Sequence, residues 1–257
     1  MIRFAAASAL AVSLVLAACS DGAGHDDETN TVEGSDVPDL QGAETDGKRI
    51  SQAVDRGKGD FADLGLGAKI VGPQGPEVKD ALSNASGNYA DITSYVACPS
   101  AMDKCDPASA PEGTIFTYVH IVYPGEDMDP TTGSGDGADS SDVERATEFR
   151  MTSPAHGFTG GAGYSKAEAM AAIGAKANIV MSCDNGALVW TINAGDGGDQ
   201  WQSGEPLTFY WQSVLPPAGP ASAYRIEVDG TAASGKGPFP AAADGVQNAC
   251  LSTPADG

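Results

Sequence analysis

The sequence predicts an α+β fold that is mostly β, in which two related units, each a helix with antiparallel strands, pack together. Runs of β-branched and aromatic residues that stop at Pro or Gly indicate strands, and the strongest are 113–123 and 207–215. The clearest predicted helix covers 165–176, because Ser165 suits an N-cap and Glu168 stands at the capping-box position. An immunoglobulin-like β-sandwich is the alternative, and it leaves this helix unexplained.

The first half of the chain predicts one helix and three strands. Residues 49–72 are compatible with either a short helix or a strand, because Gly and Asp interrupt their apolar residues. Pro76 suits the first position of a helix over 77–82, whose acidic residues lie near its N-terminal end. Strands are predicted over 92–97, 113–123 and 146–152.

The second half continues with the helix over 165–176 and then four strands. A Cys-Asp-Asn-Gly turn at 183–186 separates the first two of them. The predicted strands cover 179–182, 187–192, 207–215 and 223–228. The segment after Pro240 is rich in Ala and Gly, so we expect order there only around Cys250.

The two-unit prediction depends on an internal repeat. A helix, a strand leading into Cys, an aromatic strand ending in Pro, and an aromatic-Arg-aliphatic strand occur twice in the same order. This order places a first β-rich unit at 49–163, with an acidic loop insertion at 125–142, and a second at 164–257, with an N-terminal helix. Units this small are marginal alone, which favours a shared core; chance similarity among short strands is the alternative.

The N-terminal residues have the three parts of a signal peptide: Arg3, an apolar run over 4–16, and small residues before Cys19. The stretch Leu16-Ala17-Ala18-Cys19 resembles the lipobox of bacterial lipoprotein precursors. The resemblance implies removal of residues 1–18 and attachment of acyl chains such as palmitate to Cys19. Because Ser20 follows, it also implies an exported protein held in the cell envelope at the outer membrane. An ordinary cleaved signal peptide and a buried helix are the alternatives.

Residues 19–48 read as the lipidated Cys followed by a disordered acidic tether. Nine acidic residues precede the first Lys, and such like charge with few apolar residues prevents collapse. The whole chain has 14 basic and 35 acidic residues, a net charge of −21. This charge argues against a nucleic-acid partner, which needs basic patches. The expected partners are the membrane, through the lipid anchor, and a protein or glycan.

Four cysteines remain after Cys19, and an even number in an exported chain indicates two disulfides. Three pairings are possible. We favour Cys98–Cys105, which closes a short loop, together with Cys183–Cys250. Free buried thiols are the alternative.

The acidic insertion is the weak candidate for a metal site, through Asp127, Asp129, Asp136 and Asp139. Calcium binds through six to eight oxygens on a pliable backbone, which a Gly- and Asp-rich loop can supply. The spacing departs from an EF-hand, however, and a solvated loop is the simpler interpretation. Calcium is the only cofactor that the sequence suggests.

The aromatic residues of the second half suggest a weak candidate ligand platform at Trp201 and Tyr210. Alternation along 207–215 turns Phe209 and Trp211 towards a core, which leaves Tyr210 facing outwards, with Trp201 as its possible companion. Core packing of all these side chains is the alternative.

The sequence offers no nucleophile–base motif in a fitting context, and His120 reads as a core or sheet-face residue within its strand. Arg150 and Arg225, at corresponding places in the two units, read as structural ion-pair residues. The leading hypothesis is a lipid-anchored envelope protein with a non-enzymatic binding or structural role. An envelope hydrolase and a calcium-dependent adhesion module are the alternatives.

Overall fold

The computed structural model describes residues 59–71, 77–125, 143–194 and 198–251, all within one compact unit spanning 49–257. The signal peptide, Cys19 and the tether lie outside the described residues. The four Asp residues of the candidate metal site, Asp127, Asp129, Asp136 and Asp139, lie outside them too.

The described chain is mostly β, as predicted. Its strands are β1 (Gly59–Asp60), β2 (Leu66–Lys69), β3 (Val78–Asn84), β4 (Gly87–Pro99), β5 (Phe116–Pro124), β6 (Ala146–Met151), β7 (Phe158–Tyr164), β8 (Asn178–Asp184), β9 (Ala187–Asn193), β10 (Leu207–Ser213), β11 (Pro217–Val228) and β12 (Thr231–Pro240). A 3₁₀ turn covers Phe61–Asp63, and helix α1 covers Lys166–Ile173 between β7 and β8.

These strands form one curled open sheet in the order β1-β7-β10-β5-β4-β3-β12-β11-β6-β9-β8, with β2 also paired to β4. Neighbours run antiparallel except β1, which is parallel to β7. The curl brings opposite ends of this order together: the Trp190 indole on β9 donates a hydrogen bond of 3.1 Å to the Gly163 carbonyl on β7.

The sheet does not support the predicted division into two related helix-plus-strand units that pack together. Strands from the two predicted halves alternate through the sheet, so that β10 lies between β7 and β5, and β6 lies between β11 and β9. A single sheet also differs from the two facing sheets of the immunoglobulin-like alternative. Non-local pairing decides this arrangement, because strands far apart in the chain satisfy one another's backbone hydrogen bonds.

The helix predicted over 77–82 is also wrong, because these residues belong to strand β3 and its approach. Strand β3 pairs with β4 from Val78↔Ser94 to Asn84↔Gly87, through a two-residue turn at 85–86. The side chain of Leu82 is fully buried beside Ala90. A helix of six residues is marginal in water, so the hairpin partner outweighs the favourable N-terminal residues.

The helix of the second half is confirmed, although it is shorter than predicted. The Ser165 hydroxyl accepts a hydrogen bond of 3.3 Å from the Glu168 amide, as an N-cap does. The Glu168 carboxylate accepts from the main-chain amide of Thr208 at 2.6 Å and from its hydroxyl at 3.2 Å. Glu168 thereby fastens α1 to strand β10. No helix in the described ranges is long and apolar enough to cross a membrane.

Replacing Glu168 with Ala should lower the free energy of unfolding by about 2 kcal/mol, because a buried strand residue loses a charged acceptor. Thr208 is only 2% exposed, so water cannot readily replace the carboxylate. Urea unfolding measures the change. Glu112→Ala is the control, since Glu112 is exposed in a loop; equal effects of the two substitutions would contradict the role of Glu168.

The interior of the curled sheet is rich in aromatic residues. The rings of Tyr118 and Trp211 stack at 4.4 Å, and those of Phe149 and Phe209 stack at 4.8 Å. The largest fully buried aromatic side chains come from both predicted halves: Trp190, Trp201, Trp211, Tyr118, Tyr224, Phe149 and Phe209. A single core therefore serves the whole described domain.

Strands β7 and β12 were not predicted, because glycine breaks the pattern of both. Their glycines are needed for close approach. A Cβ on Gly163 would lie 2.2 Å from the Gly59 carbonyl oxygen, and one on Gly237 would lie 2.7 Å from the Tyr224 ring. Segments whose local sequence pattern predicts a loop therefore form strands, because only glycine leaves room for the neighbouring backbone and rings.

Both disulfides are present in the predicted pairing, Cys98–Cys105 and Cys183–Cys250. The second ties the C-terminal segment to β8. In that segment the Ala249 amide donates to the Phe158 carbonyl on β7 at 3.0 Å, and the Asn248 side chain donates to the Gly186 carbonyl at 2.8 Å. The C-terminal segment thus connects β7 to the turn between β8 and β9. Two disulfides fit a protein exported to an oxidising compartment.

Candidate functional site

The aromatic platform predicted at Trp201 and Tyr210 is not formed, because both side chains are buried. Trp201 is fully buried, and its indole donates to the Glu205 carbonyl at 2.7 Å. Tyr210 does face outwards, but it is only 3% exposed and its ring lies 6.3 Å from that of Phe61. The turn before β2 therefore covers the face that alternation had left open.

The cover also changes the chemistry of the Tyr210 phenol. Burial, reinforced by the carboxylates of Asp60 and Asp63, raises the pKa of Tyr210 to about 12. The side chain is therefore neutral at physiological pH. It acts as packing beneath the first described segment of the chain and does not present a ring to a ligand.

Calcium binding by the acidic insertion stays a prediction, because its four Asp residues are outside the described ranges. Within those ranges, no group of three or more His, Cys, Asp or Glu residues is arranged to hold a metal ion.

His120 forms a serine–histidine contact inside the core. Its Nδ1 lies 2.9 Å from the Ser94 hydroxyl, and the Trp211 indole N–H donates to its Nε2 at 3.3 Å. Because an indole nitrogen can only donate, Nε2 must accept, and Nδ1 must carry the proton that it donates to Ser94. Complete burial lowers the pKa of His120 to about 3, so the ring is neutral.

This orientation is the reverse of the one that nucleophilic catalysis requires. A base that activates Ser94 would have to accept the hydroxyl proton at Nδ1, whereas here Nδ1 donates its own. Both side chains are 0% exposed, so the pair also lacks contact with solvent. The interpretation of His120 as a core residue is confirmed, and the pair is a structural hydrogen-bond network.

Arg150 and Arg225 lie opposite each other on the outer face, in neighbouring strands β6 and β11. Arg150 pairs with Asp184 at 2.7 Å and with Glu148 at 3.5 Å, and Arg225 pairs with Glu227. Partial burial raises the pKa of Glu148, and Arg150 opposes that rise. These ion pairs confirm the structural interpretation of the two arginines.

A polar depression opens where strands β6 and β9 separate. The β6–β9 pairing runs from Arg150↔Val189 to Glu148↔Thr191. Beyond that point Ala146 pairs with Trp201 instead, donating its amide to the Trp201 carbonyl at 2.8 Å. The residues after Thr191 diverge from β6, and the gap between the chains forms the depression.

A β-bulge lies on the opposite edge of β6. Along β11, Glu227 faces Glu148 and Val228 faces Ala146, so Thr147 is an additional residue on β6. A bulge kinks a strand and redirects its side chains, and bulges are common next to functional sites. Here it places the extra residue, Thr147, in the lining of the depression.

The depression has a volume of about 250 Å³. Its lining combines one positive charge, two amides and a hydroxyl with small and apolar side chains: Arg145, Ala146, Thr147, Ile192, Asn193, Ala194, Gln200 and Trp201. The backbone at Arg145 is fixed from the turn after β11, because its amide donates to the Asp229 carboxylate at 2.9 Å. Among the described residues, no carboxylate forms an ion pair with the Arg145 side chain.

Sequence reasoning did not find this site, because its polar residues come from three separate segments. Arg145 and Thr147 precede or begin β6, Asn193 ends β9, and Gln200 precedes β10. No local spacing connects them. The acidic Gly-rich segment 193–199 lies near it in sequence, but its composition does not indicate a depression.

Comparisons with protein-family models, curated proteins and solved structures found no match to this chain. The interpretation of the depression therefore depends on its own geometry. Its side chains supply hydrogen bonds and one positive charge in a shallow concave surface.

Proposed function

We propose that this protein is a lipid-anchored protein of the bacterial cell envelope, at the outer membrane, whose β-rich domain binds a protein or glycan partner and catalyses no reaction. The polar depression around Arg145 is the observation that carries the binding role. Its side chains can hold a ligand, while the serine–histidine pair is oriented against nucleophilic attack and sealed in the core.

The lipobox-like stretch Leu16–Cys19 supports attachment to the membrane through a lipid, and the two disulfides fit export to an oxidising compartment. Each acyl CH₂ buried in a bilayer contributes about 0.8 kcal/mol, so a lipoprotein with several chains is held firmly. The acidic residues 21–46 would then link the anchor to the folded domain.

Replacing Cys19 with Ala should abolish lipidation, because no other residue offers the thiol of the lipobox-like stretch. In cells expressing the full-length gene with radiolabelled palmitate, we expect label in the unaltered protein in the membrane fraction. The Cys19→Ala variant should be unlabelled.

Ser20→Ala is the matched control, and it should keep its label because the thiol is intact. Label that persists in Cys19→Ala would contradict the anchor, as would an unaltered protein that carries no label and retains residues 1–18.

A further inference from the structure

We propose that the depression between β6 and β9 binds an acidic sugar residue, with Arg145 on its carboxylate. This inference deepens the proposed binding function and rests on it. The neighbouring amides and hydroxyl would hold the ring hydroxyl groups of the sugar.

The charge of the site points to a ligand with a carboxylate. Arg145 is exposed and lines the depression, and it has no ion-pair partner among the described residues. A guanidinium matches a carboxylate with two parallel charge-assisted hydrogen bonds. Salt screens the more distant charges of this acidic chain, beyond about 8 Å. The nearby Asp229 carboxylate accepts from the Arg145 main-chain amide at 2.9 Å and forms no ion pair with the Arg145 side chain.

The remaining polar groups fit hydroxyl groups. The side chains of Asn193 and Gln200 carry amides, which both donate and accept hydrogen bonds. Thr147 carries a hydroxyl that can accept, since its proton is directed to the Glu227 carbonyl at 3.5 Å. A sugar hydroxyl both donates and accepts. A carboxylate only accepts, so Arg145 and the other three groups distinguish different parts of the same ligand.

The shape favours one compact ring over an extended peptide. A volume of about 250 Å³ is below the roughly 300–1,000 Å³ of clefts that enclose drug-sized ligands. A peptide strand would need a free edge of β6, but the Ala146 amide already donates to the Trp201 carbonyl. The apolar Ile192 and Ala194 can contact the C–H groups of a ring.

The test uses the full-length protein in detergent, with saturation-transfer NMR and calorimetric titration. Sodium glucuronate is the probe, and glucose is the matched ligand without the carboxylate. We expect glucuronate to bind at least tenfold more tightly than glucose. Arg145→Gln should weaken glucuronate binding roughly 10–100-fold, because it removes a charge-assisted contact.

Lys104→Gln is the control variant, since it removes the same charge from an exposed loop far along the chain from the site. It should bind glucuronate as the unaltered protein does. Gln200→Ala is the second site variant, and it should weaken both sugars. Thermal melting checks that each variant is folded.

Four results would overturn the inference: equal binding of both sugars, no binding of glucuronate, equal losses in Lys104→Gln and Arg145→Gln, or selective binding of an acidic peptide such as acetyl-diglutamate. If the unaltered protein takes up no palmitate label but binds glucuronate, the lipid anchor is contradicted and the sugar site stands. Palmitate labelling without glucuronate binding would remove the sugar site alone.

Discussion

Lowering the pH from 7 to 5 should reduce the free energy of unfolding by about 2 kcal/mol through His120 alone. In the folded protein the pKa of His120 is about 3, whereas an unfolded histidine has the ordinary value of 6.5. The unfolded chain therefore takes up a proton first as the pH falls. Stability is complete above pH 6.5 and is lost progressively towards pH 3.

The pH window from 7 to 5 isolates this effect, because most carboxylates stay ionised there. Urea unfolding at the two pH values measures it. In His120→Gln the loss should disappear, because the amide can still accept from Trp211 and donate to Ser94 without titrating.

His156→Gln is the matched control, because it removes the same imidazole from a position outside the buried network, and we expect this variant to keep the stability loss that His120 causes. A His120→Gln variant that loses as much stability between pH 7 and 5 as the unaltered protein would contradict the assignment. The comparison also cancels the general effect of the acidic surface, since neither substitution changes a carboxylate.

Removing the Cys183–Cys250 disulfide by replacing both cysteines with Ser should cost about 4 kcal/mol in the free energy of unfolding. The disulfide joins residues 67 apart, and a cross-link of that span removes about this much conformational entropy from the unfolded chain. The same change also releases the segment that contacts Phe158 and Gly186. Urea unfolding measures the stability, and hydrogen exchange reports the release.

Replacing Cys98 and Cys105 with Ser is the matched control. Their separation is 7 residues, so the same relation gives a cost of about 2.4 kcal/mol. Exchange protection should fall at the Ala249 amide in the Cys183/Cys250 variant and stay unchanged in the control. A larger loss of stability in the control would contradict the stabilising role of the C-terminal segment that Cys250 holds to β8.

The local features of the chain were predictable because each depends on neighbours in sequence. Strand β5 and strand β10 follow from their β-branched and aromatic residues, and α1 follows from the Ser165 cap. The disulfide pairing was also predicted, through the short loop that Cys98 and Cys105 close and the pairing left for Cys183 and Cys250. Such features can be predicted without knowledge of the rest of the fold.

Partners distant in sequence decided the features that were missed. The residues from Val78 to Leu82 form a strand because β4 lies beside them, and the glycines of β7 and β12 serve strands because rings and backbone pack against them. Tyr210 is buried because the turn at Phe61 covers it. Pattern alone cannot show which surface another segment will cover.

The sequence by itself determined the mostly β character, the helix at Ser165 and the disulfides, since propensity, capping and cysteine count act locally. Tertiary structure alone decided the single interleaved sheet, the direction of the Ser94–His120 hydrogen bond and the depression around Arg145. Each of these depends on groups that only the curl of the sheet brings together: the Trp211 indole fixes the His120 proton, and the divergence of β9 from β6 opens the site.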